Sequence, residues 1–169
     1  MPLAILIGPP GAGKSTVGRA LAKRLEVDFQ DTDHLIEEYA KKKISEIFVE
    51  DGEPAFREME EAQVARALKN CTGVLSLGGG AIMSVETQKL LTPLKQKVVL
   101  LEVSISQAAP RVGFNKDRPM LMINPRQQWQ ALLEKRLPVY RSLSNFSIST
   151  DSLKPGEVAE KIANYLENS

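Results

Sequence analysis

The apolar positions fall into two periods along the chain. Leu3-Ala4-Ile5-Leu6-Ile7, Val74-Leu75-Ser76-Leu77 and Val98-Val99-Leu100-Leu101-Glu102-Val103 are short, nearly continuous apolar runs. That is the pattern of strands covered on both faces of a parallel sheet. Phe146-Ser147-Ile148-Ser149-Thr150 alternates instead, which predicts a half-covered or edge strand. A weaker fifth candidate lies around Val27-Asp28-Phe29-Gln30, between two helical segments.

Helical spacing fills the intervals. Val17, Leu21 and Leu25 share one face; Leu35, Ile36, Tyr39 and Ala40 share another; Phe56, Met59 and Ala62 begin a third. Trp129, Leu132, Leu133, Leu137 and Tyr140 form a further stripe, which Pro138 is expected to kink or restart. Pro155 suits a first helical position and opens a last helix with Val158, Ile162 and Leu166 inward. Strands alternating with helices predict a right-handed α/β parallel sheet that binds ligands at its strand C-terminal ends. No repeat, low-complexity tract or long linker divides the 169 residues, so a single domain spanning 1–169 is expected.

Composition narrows the classes without choosing among them. Hydrophobic residues make up 43% and charged residues 25%, as in an ordinary globule. The net charge of +1 gives no global field for nucleic acid or membrane, so an anionic ligand must be caught by local arginines. The first apolar run is too short for an export signal or a membrane span. The one cysteine, Cys71, excludes an intrachain disulfide and suits a reducing cytoplasm. It reads as a small buried hydrophobe. No long exposed apolar stripe asks for a partner, so a monomer is expected.

The chemistry begins where the first strand ends. Gly8-Pro9-Pro10-Gly11-Ala12-Gly13-Lys14-Ser15-Thr16 satisfies G-x-x-x-x-G-K-[ST] between a strand and a helix. Its glycines let backbone N–H groups converge on phosphate beside a helix N-terminus. Gly11, Ala12, Gly13, Lys14, Ser15 and Thr16 are therefore expected to bind a nucleoside triphosphate. Lys14 would reach the β- and γ-phosphates, and the Ser15 hydroxyl would hold Mg²⁺.

Other segments bear on an acceptor. Asp31-Thr32-Asp33 follows the weak strand; one carboxylate can approach the metal with Ser15 while the other orients or deprotonates a hydroxyl. An acidic turn or helix N-cap is the competing account. Arg57 and Glu60 lie one helical turn apart, so Arg57 can grip a carboxylate with Glu60 orienting it. A solvated ion pair would have the same spacing, although Arg57 with Glu61 has the less favourable orientation. Gly78-Gly79-Gly80 ends the strand from Val74 without an acidic residue, which leaves the metal to Asp31 and Ser15. It permits close backbone approach to a ligand, or is a flexible turn. Residues 112–125 read as a mobile lid carrying Arg118 over the transferred phosphate, or as an ordinary surface loop. Arg141 reads as part of a solvated helical face.

Taken together, Gly8–Thr16, Asp31-Thr32-Asp33, Phe56-Arg57 with Glu60, Gly78–Gly80, Arg118-Pro119-Met120-Leu121 and Lys135-Arg136-Leu137-Pro138-Val139-Tyr140-Arg141 resemble shikimate kinase in order and spacing over essentially the whole chain. The resemblance implies a three-layer P-loop kinase with a five-stranded parallel sheet, helices on both faces, a lid, and a substrate-binding region at about 31–62. It implies transfer of the ATP γ-phosphoryl to the 3-hydroxyl of shikimate with Mg²⁺, a step of chorismate and aromatic amino acid biosynthesis. It further implies Lys14, Asp33 and Arg118 as catalytic, Asp33 on the hydroxyls, and Arg57 and Arg136 on the carboxylate, with Gly78, Gly79 and Gly80 beside them. Arg111 and Pro155 would lie against adenine. Met120 replaces the commoner leucine, a volume-conserving change, and only Lys154 is cationic before Pro155, where the family often carries arginine. The alternatives are a kinase of another small hydroxylated acid such as gluconate, and an ATP-binding regulator without catalysis.

Overall fold

The computed structural model of the protein describes residues 1–112 and 124–169. Its five strands are β1 (Ala4–Ile7), β2 (Phe29–Asp31), β3 (Val74–Ser76), β4 (Val98–Glu102) and β5 (Phe146–Ser149). They form one sheet in the order β2-β3-β1-β4-β5, with every neighbouring pair parallel. β1 and β4 are buried on both faces because each residue of these apolar runs has a layer to pack into. Ala4, Leu6, Val99 and Leu101 join one core, while Ile5, Ile7, Val98 and Leu100 join the other.

The helices are α1 (Lys14–Leu25), α2 (Thr32–Ala40), α3 (Ile44–Glu50), α4 (Glu53–Asn70), α5 (Val85–Leu91), α6 (Ile105–Val112), α7 (Pro125–Leu143) and α8 (Pro155–Glu167). Val17 and Leu21 of α1 and Val158 and Ile162 of α8 fill the first core. Val64 and Leu68 of α4 and Leu91 of α5 fill the second. A third, smaller core joins Ile36 of α2, Ile47 of α3 and Phe56 of α4. α7 belongs to both layers: Trp129 packs in the first core, and Tyr140 and Leu143 pack in the second.

The expected five strands are present. β5 alternates half-buried and exposed residues at the sheet edge, as its sequence predicts. Three details differ. α7 runs unbroken through Pro138, so no new helix starts there. Tyr39 is exposed, off the face shared with Ile36. On α4, Ala62 is exposed, and the buried stripe is Phe56, Glu60, Gln63, Val64, Ala67 and Leu68. Two polar residues occupy core positions there, which breaks the apolar period from which the face was read. Cys71 is free and buried, and burial pushes its thiol pKa up. No helix among the described residues is long and apolar enough to cross a membrane.

Candidate active site

The loop after β1 has the backbone that its glycines allow. Gly11 and Gly13 both have φ 84°, a left-handed conformation that side-chain-bearing residues rarely adopt. Gly13 is the N-cap of α1 and contributes no side-chain cap, so the positive end of the helix faces the loop. Lys14 Nζ donates to the Gly8 and Pro9 carbonyls at 2.8 and 3.0 Å. Ala12 N–H closes onto the Pro9 carbonyl at 3.2 Å. Thr16 is exposed on the first turn of α1. Arg111, at the end of α6, donates to the Gly11 carbonyl at 3.1 Å and reaches Thr150 Oγ1 at 3.5 Å. It thus links the loop to the turn that leads into Pro155, which is exposed at the start of α8. Lys154 N–H is capped by Glu157 Oε2 at 2.8 Å.

β2 ends beside this loop, and Asp31 there does two things. Its Oδ2 accepts from Ser15 Oγ at 2.5 Å, and its Oδ1 accepts from Asp33 N–H at 3.0 Å. It is therefore both the N-cap of α2 and the partner of the P-loop serine. The cap fixes the first turn of α2, which carries Asp33. Thr32 is fully buried and accepts from Gly78 N–H at 3.1 Å, joining the start of α2 to the glycine turn.

The residues expected to hold an acceptor meet at the glycine turn. None of its glycines has a positive φ among the backbone outliers, so the requirement for glycine here is space. A Cβ on Gly78 would lie 2.6 Å from Asp33 Oδ1 and 3.0 Å from Glu60 Oε2. On Gly79 it would lie 3.1 Å from Pro10 Cδ and 3.4 Å from Arg136 Nη1, and on Gly80 it would lie 2.5 Å from Arg57 Nη1. One turn therefore gathers Asp33 from α2, Arg57 and Glu60 from α4, Arg136 from α7 and Pro10 from the P-loop.

Arg57 Nη1 bonds Glu60 Oε1 at 2.7 Å, with the Glu60 side chain 5% exposed. Burial, the largest influence, pushes the Glu60 carboxyl above its ordinary pKa, and the Arg57 charge and hydrogen bond oppose that rise. Arg57 Nε also reaches Glu53 Oε1 at 3.4 Å. Glu53 precedes Arg57 by four residues, the favourable orientation for a helical ion pair. The i,i+4 partner of Arg57 is therefore Glu53; Glu61 instead accepts from Ser84 Oγ at 2.5 Å. Arg136 is only 6% exposed. A buried guanidinium is costly unless it meets anionic partners, and Arg136 lies near enough to Glu60 to influence its titration. Arg141 is exposed, 4.0 Å from Glu102 Oε2, on the solvated side of α7. Arg118 lies outside the described residues.

Two residues read from sequence as part of an apolar stripe carry polar tips into this region. Trp129 Nε1 donates to the Pro10 carbonyl at 2.8 Å, and the Tyr140 hydroxyl donates to the Gly79 carbonyl at 2.5 Å. The available signal was residue type alone, since a buried Trp or Tyr usually finds a hydrogen-bond partner. Among the described residues no group of three or more His, Cys, Asp or Glu side chains forms a metal cluster. Ser15 and Asp31 offer hard oxygen ligands, suited to an ion that completes its shell with phosphate and water.

Comparison with known proteins follows the same lines. The shikimate kinase family model matches residues 10–167. Shikimate kinase of Thermobifida fusca is 54% identical over 165 residues, covering 98% of this chain and 95% of its own. That of Saccharopolyspora erythraea is 49% identical over 162 residues, covering 95% and 91%. The structure of shikimate kinase from Acinetobacter baumannii in complex with shikimate superposes with a TM-score of 0.92 at 36% identity, covering 98% of this chain and 92% of that one.

Proposed function

The chain belongs to the shikimate kinase family, and for the phosphoryl transfer from ATP to shikimate that it performs we propose a division of labour among its residues. The convergence of Asp33, Arg57 and Arg136 on the Gly78–Gly80 turn carries this reading. Shikimate is a small monoanion with three hydroxyls, so its site needs cationic forks and a carboxylate that accepts from hydroxyl. Arg57 and Arg136 hold the carboxylate. Glu60 fixes Arg57 by a 2.7 Å bond. Asp33 receives the 3-hydroxyl and orients it toward the γ-phosphate, with the turn glycines giving it room.

On the donor side, Gly11 to Thr16 cradle the triphosphate. Lys14 exchanges its bonds to the Gly8 and Pro9 carbonyls for phosphate oxygens. Arg111 and Pro155 flank the adenine, and Arg118 neutralises the transferred group. Ser15 and Asp31 set a hydroxyl and a carboxylate oxygen side by side, joined by a hydrogen bond in this structure, and as hard oxygen ligands they would hold Mg²⁺ together. The ion, when bound, offsets charge on the β- and γ-phosphates. We place the enzyme in the cytoplasm as a monomeric single domain, with residues 31–62 as its acceptor region; the segment 112–125 expected to be a lid falls almost wholly outside the described residues, and the free thiol of Cys71 suits a reducing compartment.

A coupled ADP-release assay tests this assignment. ADP should form with shikimate and not with gluconate. Arg57→Ala and Arg136→Ala should each raise the shikimate KM about 10-fold or more, as for lost charge-assisted bonds, with the ATP KM unchanged. An unaltered shikimate KM in both variants rules out the carboxylate clamp.

A further inference from the structure

α7 supplies more to the acceptor site than Arg136. The polar backbone groups of the glycine turn can be accounted for one by one. Gly78 N–H is held by Thr32 Oγ1 at 3.1 Å. The Gly78 carbonyl accepts from Ala81 N–H at 3.1 Å, and the Gly80 carbonyl accepts from Met83 N–H at 3.0 Å. The Gly79 carbonyl accepts from the Tyr140 hydroxyl. Among the described residues, the N–H groups of Gly79 and Gly80 meet no acceptor. Each of the three carbonyls therefore already has a protein donor, whereas the donors of Gly79 and Gly80 are left for a ligand.

The Tyr140 bond is the one that orients the middle of this turn. No peptide bond among the described residues is cis, and in a trans peptide the carbonyl of one residue and the N–H of the next point in opposite directions. Tyr140 is fully buried in the core shared by β1, β3 and β4. Its hydroxyl draws the Gly79 carbonyl toward that core, so Gly80 N–H points away from it. Without a side chain at either position, little else in the turn resists rotation of that peptide unit.

We propose that Tyr140 is a positioning residue for the acceptor, holding the Gly79–Gly80 peptide so that its N–H is preset as a donor to shikimate. This rests on the assignment of the turn to the shikimate site. Trp129 makes the corresponding bond eleven residues earlier on the same helix, to Pro10 of the donor loop. The two aromatic residues thus each hold one backbone carbonyl, one on the P-loop and one on the glycine turn.

Tyr140→Phe keeps the ring and removes the hydroxyl. By calorimetry, its shikimate Kd should rise roughly 3- to 10-fold, the range that one neutral hydrogen bond supports, while its ATP Kd stays within about 2-fold of the parent, less than half of such a bond. An unchanged shikimate Kd, or equal weakening of both ligands, overturns the proposal. A measurement on the unaltered, isotope-labelled protein covers the case in which the variant does not fold. Its Gly79 and Gly80 amide resonances should shift on addition of shikimate, and raising the temperature should leave the Gly80 amide slow to exchange in the complex. Amides that ignore shikimate refute the site assignment itself. Amides that respond, combined with an unaffected Tyr140→Phe, refute only the role of Tyr140.

Discussion

A Cβ placed on Gly80 would lie 2.5 Å from Arg57 Nη1, 2.8 Å from Nη2 and 2.9 Å from Cζ. The obstacle is the far end of a flexible side chain, so Gly80→Ala can be accommodated by swinging the guanidinium aside. That movement breaks the 2.7 Å bond to Glu60. The fold should therefore tolerate the change and the acceptor site should not. We expect a melting temperature close to that of the parent and shikimate affinity lower by about 1.5–3 kcal/mol, the worth of a bond to a charged group. Isothermal titration with shikimate and with ATP reads both sides; near-parental shikimate binding would show that Arg57 is not held where the acceptor sits.

Asp33→Asn tests the hydroxyl contact. Asparagine keeps the shape but accepts a proton poorly and carries no charge. kcat should fall by about 100- to 10,000-fold, the span seen for removed acid–base groups, while ATP binding changes little. Turnover near the parental rate would remove Asp33 from the chemistry.

Asp31 joins a structural duty to a metal-binding one, and two substitutions separate them. Asn is as good an N-cap as Asp, so Asp31→Asn should keep the melting temperature while raising the Mg²⁺ concentration needed for half activity. Asp31→Ala should lose the cap as well, costing about 1 kcal/mol. Chemical denaturation alongside a Mg²⁺ titration distinguishes the pair. An Asn variant with parental Mg²⁺ dependence would confine Asp31 to capping.

Glu60 makes stability depend on pH in a defined direction. Its pKa in the folded state lies above the ordinary value of 4.5, chiefly through burial. The native protein then binds a proton that the unfolded chain has released, so stability falls as pH rises through the raised pKa. The contribution is fully present below 4.5. Relative to Glu60→Gln, the parent should gain stability as pH is lowered from neutrality toward that value. Urea unfolding of both proteins across the range gives the slope; a difference that grows with rising pH would reverse the sign and exclude burial as the dominant influence.

Much of this was legible in the chain because the site is built from residues whose chemistry is visible in their names. A P-loop needs its glycines, lysine and serine, and an anionic acceptor needs arginine, whatever the tertiary detail. β1 and β4 were equally plain, since strands buried on both faces carry no polar interruption. β2 was faint because its three residues are only half-buried. α3, Ile44–Glu50, has one fully buried residue, Ile47, and so almost no period to read. The inward face of α4 was obscured because Glu60 and Gln63 sit where a core helix would carry leucine. Tyr140 and Trp129 fit an apolar stripe by spacing, and spacing carries no mark of the polar atoms at their tips.

The small third core has a consequence of its own. Among the described residues Ile36, Ile47 and Phe56 are its buried members, and they join α2 and the start of α4 through α3, apart from the two layers on the sheet. So few buried contacts give this segment a low opening free energy compared with the sheet. Its amides should exchange with solvent long before those of β1 and β4. The segment can therefore open and reclose as a local unit while the nucleotide loop, anchored to β1 and α1, keeps its shape.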